Sequence, residues 1–210
     1  MSHTEDPGLD AAYALKTPDD SRRLYAGWAE TYDDGFAGTM DYRLPEETAR
    51  AFAEAGGRGP VLDVGAGTGL LGRHLKAAGI GPVDGTDISP EMLREAEKKG
   101  LYRRLFEGDV TGRLDVEDGA YDGIVSSGTF TCGHVGPEAI HELLRVAAPG
   151  ALFVLSINAA HWAPAGFADL FEALHGAIVE LELPKVPIYG PNADPDHRDD
   201  RAFLATFRKV

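Results

Sequence analysis

Three acidic residues lie near the ends of predicted strands. Asp63 lies within the apolar run of residues 61–64, Asp87 closes the next predicted strand, and Asp109 follows residues 101–107. In an open sheet of parallel strands, the carboxyl ends of the strands face one ligand crevice. A carboxylate in that crevice can accept hydrogen bonds from ribose hydroxyls or from an exocyclic amine. The three acids therefore predict a site for a ligand that carries an adenosine-like group.

A glycine-rich turn joins the first predicted strand to a predicted helix over residues 70–78. Gly65, Gly67 and Gly69 alternate along this turn. Glycine allows positive φ angles and lets a ligand approach the backbone closely. The helix that begins there presents unpaired N–H groups and the positive end of its dipole. A strand, a glycine turn and a helix in this order predict a nucleotide or cofactor site.

The glycines alone allow two interpretations of the motif, which imply different ligands. Residues 67–72 match the G-x-G-x-x-G fingerprint of dinucleotide-binding proteins. That fingerprint normally begins directly after the strand, whereas Gly65 and Ala66 intervene here. Read from Asp63, the same stretch has the form D-x-G-x-G-x-G. The acids at the second and third strand ends favour this second interpretation. A dehydrogenase that binds a dinucleotide has no particular need for an acid after its third strand.

Composition limits the classes of partner. The chain has 210 residues, a length that suits one α/β domain. The net charge of −14 argues against a nucleic-acid partner and against an anionic membrane surface. One cysteine fits a reducing compartment, and no apolar run is long enough to span a membrane. We therefore expect a cytoplasmic protein with no nucleic-acid or membrane partner.

The N-terminal region predicts a tail and a helix. Residues 1–10 are too polar to form a core and are expected to be disordered. Asp19 or Asp20 is a plausible N-cap for a helix that runs to about Asp33. The aromatic residues of that helix fall on one stripe. This stripe either packs the helix onto the domain or also covers the ligand.

Three segments together resemble one known family. Residues 63–69 resemble motif I of the class I S-adenosylmethionine-dependent methyltransferases, and residues 87–93, D-I-S-P-E-M-L, are similar to motif II. Residues 28–33, W-A-E-T-Y-D, followed by residues 41–45, D-Y-R-L-P, resemble the opening of small-molecule methyltransferases. The resemblance is strongest to the Williams–Beuren-region methyltransferase-like group.

This resemblance implies a fold and a cofactor. The fold is α/β, a Rossmann-like doubly wound sheet of seven strands in the order 3-2-1-4-5-7-6, with the last strand antiparallel. Residues 11–57 would form an N-terminal helical lid, and residues 58–210 would form the S-adenosylmethionine-binding domain. S-adenosyl-L-methionine would be the cofactor.

The expected cofactor-binding residues come from the lid, the glycine turn, the acidic strand ends and the fourth strand. Ile88 and Met92 are expected to pack against the adenine ring. The full set is Tyr25, Trp28, Tyr32, Asp63, Gly65, Ala66, Gly67, Gly69, Leu70, Asp87, Ile88, Met92, Gly108, Asp109, Val110 and Ser126.

Methyl transfer from a sulfonium is an in-line displacement, so the protein mainly supplies position and a channel with little water. A weakly basic nucleophile needs a general base. His134, on the loop expected after the fourth strand, is the first candidate, and His161 and Asn158 are the others. Phe130, His161 and Trp162 are expected to line the acceptor site.

Other chemistries lack their motifs. The sequence has no C-x-x-C or H-E-x-x-H spacing, so we expect no metal, and it has no G-x-S-x-G. The Asn/Asp-Pro-Pro-Tyr motif of methyltransferases that act on exocyclic or amide nitrogens is also missing, and residues 126–129, S-S-G-T, stand in its place. The sequence therefore predicts a methyltransferase for a small-molecule acceptor. A noncatalytic S-adenosylmethionine-binding protein and an NAD-dependent oxidoreductase are the alternatives.

The C-terminal third predicts further elements. A helix is expected over residues 165–175, and alternation predicts strands around residues 179–183 and 203–207. Residues 184–201 form a loop whose length indicates either a function or a loose segment.

Overall fold

A computed structural model describes Leu15 and residues 17–210. The tail predicted over residues 1–10 lies outside the described residues.

The described residues form one mixed sheet of eight strands. Its order is β3-β2-β1-β4-β5-β8-β6, and β7 pairs with β8. The neighbouring pairs from β3 to β5 are parallel, whereas β8 runs antiparallel to β5, β6 and β7. The strands are β1 (Val61–Val64), β2 (Val83–Asp87), β3 (Arg104–Glu107), β4 (Tyr121–Phe130), β5 (Ala147–Asn158), β6 (Ile178–Glu182), β7 (Lys185–Pro187) and β8 (Arg201–Lys209). The predicted order is confirmed, with β8 as the seventh strand of the pattern and β7 as an addition.

Helices cover the sheet and its carboxyl edge. They are α1 (Pro18–Trp28), a π-helix (Asp33–Ala37), α2 (Leu44–Glu54), α3 (Leu70–Ala77), α4 (Pro90–Lys98), α5 (Ala139–Val146), α6 (Ala159–Ala165) and α7 (Phe167–Ala173). Ser89 caps α4 by accepting a hydrogen bond from the Met92 N–H at 3.3 Å, as the S-P-E sequence predicts.

The first helix begins earlier than predicted. Thr17, not Asp19 or Asp20, is its N-cap. The Thr17 hydroxyl accepts from the Asp20 N–H at 3.2 Å, and the Asp20 carboxylate accepts from the Thr17 N–H at 3.1 Å. This reciprocal pair is a capping box. The α-helix also ends at Trp28, since the chain then turns into the π-helix instead of continuing to residue 33.

The core lies on both faces of the sheet. On one face Leu62 packs with Ile124, Phe153 and residues of α5. On the other face Phe52 of α2 packs with Leu75 of α3 and with strand residues. Both faces are therefore buried, as expected for parallel strands covered by helices.

The division at residue 57 stays a prediction. Helix α2 belongs to the expected lid by sequence, yet its buried Phe52 packs on the sheet. Among the described residues of the expected lid, Tyr25, Tyr32 and Tyr42 lie over the strand ends. The covering part is therefore made by the segments that precede α2 and by the first turn of α2, where Pro45 lines the cleft.

Several local predictions were wrong. Strand β4 continues through Phe130, although residues 129–130 were expected in a loop. Helix α6 was missed, and the helix expected from residue 165 begins at Phe167, because Gly166 adopts a φ of 84° between α6 and α7. Residues 184–201 contain β7 and the buried side chain of Tyr189, so the part of this segment around β7 is packed.

Candidate cofactor site

A cleft lies at the carboxyl edge of β1, β2 and β4. Its empty volume, including the space open to solvent at its mouth, is about 1000 Å³. The glycine turn and Asp87 form one side, and tyrosines of the N-terminal segment form the other. The predicted residues that line it are Tyr25, Tyr32, Gly65, Ala66, Gly67, Leu70, Asp87, Ile88, Met92, Gly108, Asp109, Val110 and His134.

The glycine turn has the backbone that its sequence predicts. Gly65 and Gly67 have φ angles of 68° and 53°. A Cβ at Gly65 would collide with the hydroxyl oxygen of Thr129, so that position requires glycine for space as well as for conformation. The turn thereby exposes backbone atoms directly to the cleft.

Asp87 is fixed by the backbone on both oxygens. Its Oδ2 accepts from the Gly67 N–H at 2.8 Å, and its Oδ1 accepts from the Ser89 N–H at 2.9 Å. Burial raises the pKa of this carboxyl, and backbone hydrogen bonds from Ser89, Gly67 and Ile88 oppose that shift. A carboxylate offers about four lone-pair sites, so Asp87 can still accept from a ligand without losing these bonds.

Asp63 lies beneath the cleft and does not line it. The carboxyl group is buried, and its Oδ2 accepts from the Tyr102 hydroxyl at 2.7 Å. Its Oδ1 is buried and has no hydrogen-bond partner among the described residues. Burial raises the pKa of Asp63 to about 7, against the lowering by the Tyr102 hydrogen bond. An unpaired buried oxygen of this kind is costly, so it suits a donor brought by a ligand.

Asp109 shapes the third strand end. Its Oδ1 accepts from the Thr111 N–H at 2.9 Å and from the Thr111 hydroxyl at 2.6 Å. Gly108 and Val110 line the cleft on either side of it. This places a carboxylate and adjacent backbone groups at the far end of the cleft.

Aromatic rings close the opposite side. The ring centroids of Tyr25 and Tyr32 lie 6.4 Å apart, and both rings line the cleft. Trp28 does not line it: the side chain is buried behind them, with its ring 5.4 Å from that of Tyr32. Phe36 packs against both Trp28 and Tyr32. The stripe therefore both packs the helix and faces the cleft.

A polar contact joins the aromatic segment, residues 25–36, to the glycine turn. The Thr68 hydroxyl donates to the Asp33 Oδ1 at 2.5 Å, and the Asp33 Oδ2 pairs with the Lys99 ammonium of the α4 end. Asp33 belongs to the W-A-E-T-Y-D segment, but no local pattern in the sequence predicts its contact with Thr68. The contact joins three segments that are far apart in the chain.

His134 lies where the cleft meets the aromatic wall. Its Nε2 is 2.9 Å from the Tyr25 hydroxyl, and its Nδ1 is 3.0 Å from the Cys132 carbonyl oxygen. A carbonyl only accepts, so Nδ1 carries the proton in the neutral ring and Nε2 accepts from Tyr25. Burial lowers the pKa of His134, and His161 adds to that shift, while the Cys132 carbonyl opposes it. The lowered pKa favours the neutral ring, in which the Nε2 lone pair accepts from Tyr25.

The structure places the remaining predicted residues outside the cleft. Gly69 precedes α3 as its N-cap, and the Ser126 hydroxyl donates to the Val64 carbonyl at 2.8 Å. The rings of Trp162, His161 and Phe130 all pack against Phe167. Of the three residues expected at the acceptor, only Phe130 lines the second cavity described below.

Sequence reasoning missed several cleft residues. Tyr42 stands in the D-Y-R-L-P segment that carried the resemblance, so that segment was a usable signal, and its hydroxyl lies 3.4 Å from the Ser127 hydroxyl. Thr68 lies inside the glycine turn itself. The missed lining residues are Ser21, Tyr42, Pro45, Thr68, Leu71, Thr111, Ser127, Gly128, Thr129 and Val135.

A second cavity adjoins the cleft. Its empty volume, including open space, is about 490 Å³, and Tyr25, Tyr32, Tyr42, Gly128 and His134 line both spaces. Seven of its lining residues carry aromatic rings: Tyr25, Trp28, Tyr32, Phe36, Tyr42, Phe130 and Tyr189.

Two searches cover the part of the chain that the structure describes. No group of three or more His, Cys, Asp or Glu side chains there could hold a metal ion. None of the described helices is long and apolar enough to cross a membrane.

Comparisons with known proteins agree on one family. A model described as a methyltransferase domain matches residues 61–150. The chain is 36% identical to human methyltransferase-like protein 27 over 146 residues, which are 66% of this chain and 59% of that protein. It is 32% identical to a demethylmenaquinone methyltransferase of Beutenbergia cavernae over 174 residues, 80% of this chain and 68% of that protein.

The fold is similar to that of solved structures. A TehB-like S-adenosylmethionine-dependent methyltransferase from Corynebacterium glutamicum matches with a TM-score of 0.61 and 24% identity, over 90% of this chain and 99% of that one. The predicted fold and family are both confirmed, and the oxidoreductase alternative is wrong. The chain belongs to the S-adenosylmethionine-dependent methyltransferases, enzymes whose cofactor is S-adenosyl-L-methionine.

Proposed function

We propose that this methyltransferase transfers the methyl group to a small-molecule acceptor. The donor would lie in the cleft, with its adenosine along the strand ends. The observation that carries this proposal is Asp87, whose two oxygens are fixed by the Gly67 and Ser89 N–H groups and whose side chain lines the cleft. A carboxylate held in this way suits a ribose with two neighbouring hydroxyls.

The other cleft groups fit the same donor. Asp109, with the backbone next to it, suits an adenine edge, and Ile88 and Met92 supply apolar contact for its ring. The buried, unpaired oxygen of Asp63 suits a donor such as an ammonium group, reached directly or through water. The faces of Tyr25 and Tyr32 suit a sulfonium cation, because the ring quadrupole attracts positive charge.

A small-molecule acceptor is supported by charge and by size. The net charge of −14 disfavours nucleic acid and anionic membranes as partners. A relative that covers most of this chain is named for methyl transfer to demethylmenaquinone, which is a small organic molecule. We also propose that the protein acts in the cytoplasm.

His134 is the proposed general base. It lines the cleft, stays neutral because burial lowers its pKa, and presents Nε2 as an acceptor. A neutral imidazole can take a proton from an acceptor group as the methyl group transfers. The remaining predicted residues that line the cleft are proposed to contact the donor.

Titration calorimetry with S-adenosylmethionine and its demethylated product tests the donor site. We expect one site per chain for both compounds and no binding of NAD under the same conditions. Absence of heat with both compounds would contradict the proposal. Mass spectrometry of a metabolite extract, with and without the enzyme, then seeks products heavier by one methylene. Donor binding without any such product would favour a noncatalytic role.

A further inference from the structure

The second cavity differs from the cleft in its charge. Asp87 and Asp109 line the cleft, whereas no Asp, Glu, Lys or Arg among the described residues lines the second cavity. Its polar side-chain groups are hydroxyls, an amide, the indole N–H of Trp28 and the His134 ring. A charged molecule that entered it would lose its hydration and find no opposite charge. The lining therefore selects for molecules without a formal charge.

The shape of the cavity favours a flat ring. Seven aromatic residues surround it, and the centroids of Tyr42 and Tyr189 lie 5.9 Å apart while those of Phe36 and Tyr189 lie 6.2 Å apart. Aromatic walls favour offset or edge-on packing of another ring. The second cavity is smaller than the cleft, with an empty volume, open space included, of about 490 Å³ against about 1000 Å³, which favours a small molecule over a macromolecule.

The residues shared by the cleft and the second cavity include one hydrogen-bonded pair that can exchange protons, Tyr25 and His134. Tyr25 and His134 line both the cleft and the second cavity. The 3.0 Å contact from Nδ1 to the Cys132 carbonyl fixes the tautomer, so the Tyr25 hydroxyl donates to Nε2 at 2.9 Å. A ligand hydroxyl in the second cavity can therefore reach Nε2 of His134, which can take its proton, at the border with the cleft proposed for the methyl donor.

We propose that the second cavity is the acceptor site and that it takes an uncharged, flat aromatic molecule with a hydroxyl group. This inference rests on the proposed function. The acceptor oxygen attacks the methyl carbon as the carbon–sulfur bond breaks, and the bonding electron pair stays on sulfur as a neutral thioether. The hydroxyl proton passes to Nε2 of His134, directly or through the Tyr25 hydroxyl, and the Cys132 carbonyl stabilises the imidazolium.

A series of three probes that share one naphthalene ring and differ in the charge of the substituent tests the charge selection. The protein is first saturated with S-adenosylhomocysteine, and binding of 2-naphthol, 2-naphthoate and 2-naphthylmethylammonium is then measured by calorimetry. We expect 2-naphthol to bind at least tenfold more tightly than either ion. Equal or tighter binding of either ion, or no binding of 2-naphthol, would overturn the inference. Because S-adenosylhomocysteine binding is measured first, its failure is seen separately and concerns the proposed function.

A variant locates the probe. Thr131 lines the second cavity but not the cleft, so Thr131→Phe fills the acceptor space. We expect at least a tenfold loss of 2-naphthol affinity with S-adenosylhomocysteine affinity within twofold of wild type. The matched control is Thr111→Phe, since Thr111 lines only the cleft, and it should affect S-adenosylhomocysteine more than 2-naphthol. Unchanged 2-naphthol affinity in a folded Thr131→Phe protein would contradict the assignment.

Nitrogen NMR of the histidine rings tests the proton path without turnover. We expect the neutral His134 ring to carry its proton on Nδ1, and Tyr25→Phe to change the Nε2 signal because its hydrogen bond is lost. A purely packing role for Tyr25 would leave that signal in place. A ring protonated on Nε2 would overturn the proposed path even if 2-naphthol binds.

Discussion

The two walls of the site are built in different ways. The wall at the strand ends consists of backbone N–H groups and carboxyls, with Asp87 held by Gly67 and Ser89 from neighbouring turns. The opposite wall consists of aromatic side chains from segments as far apart as Tyr25 and Tyr189. The first wall offers hydrogen-bond acceptors that a polar cofactor can use. The second offers flat, uncharged surface, which suits a variable acceptor. If the proposed sites are right, recognition of the methyl donor depends on backbone geometry, and recognition of the acceptor depends on side-chain packing.

The largest expected effect concerns buried charge beneath the strand-end wall. Because the pKa of Asp63 is raised to about 7, the folded protein holds its proton more tightly than the unfolded chain. The stability that this group supplies is fully present below its unfolded pKa and is lost as pH rises through about 7. Asp63→Asn stays neutral, so its free energy of unfolding relative to wild type should rise by about 2–3 kcal/mol from pH 5 to pH 8.

Urea unfolding at several pH values measures this difference. Asp122→Asn, at the exposed second residue of strand β4, is the matched control and should show no such rise. A constant difference for Asp63→Asn across this range would mean that the strand-end wall holds no destabilising charge.

The next effect separates the two walls by ligand. Asp87→Ala removes an acceptor fixed in the cleft, and we expect S-adenosylhomocysteine binding to weaken by about 1–3 kcal/mol in calorimetry. Glu107→Gln is the matched control, because Glu107 is the exposed residue paired with Asp87 in the strand register. Equal losses in both variants would indicate a general electrostatic effect and not a contact at Asp87.

A smaller effect concerns the link between the walls. Thr68→Val keeps the shape of the side chain but removes the hydroxyl that donates to Asp33. We expect a loss of about 1 kcal/mol in the free energy of unfolding. Relative to wild type, amide hydrogen exchange should become faster in α1 by more than it does in α3. Lys99→Gln should have less effect, since exposed ion pairs contribute little. Uniformly faster exchange in both helices would place the Thr68 effect in the sheet domain instead.

The smallest effect tests the start of the aromatic segment. Thr17→Ala removes one half of the capping box and should cost about 0.5–1 kcal/mol of stability. Ser89→Ala, the cap of α4, provides the comparison on the strand-end wall. Thermal unfolding of both variants measures the two caps. No change for Thr17→Ala would show that α1 is held by its ring contacts alone.

The sequence predicted the strand-end wall well because its signals are local. Gly65, Gly67 and Asp87 lie within short stretches whose order along the chain follows the order of strand and turn. The sheet order followed from resemblance, and β8 takes the predicted antiparallel place. Only strand β7 was not expected, because three residues are too few for the alternation of apolar and polar residues to indicate a strand.

The aromatic wall could not be predicted to the same extent. Its stripe at Tyr25 and Tyr32 was visible from helical spacing, but the approach of Tyr42 and Tyr189 depends on tertiary packing. Trp162 shows the opposite error: an aromatic residue near a strand end was assigned to the acceptor, yet its ring packs against Phe167 and Phe171 in the core. Ring type alone does not distinguish a cavity wall from a core contact.

A crystal structure with S-adenosylhomocysteine would locate the donor in the cleft. We expect the ribose hydroxyls within hydrogen-bond distance of the Asp87 carboxylate, the adenine beside Asp109, and the sulfur facing the Tyr25–His134 pair. A ligand bound with its ribose elsewhere, or a cleft that stays empty at saturating concentration, would contradict the proposed donor site.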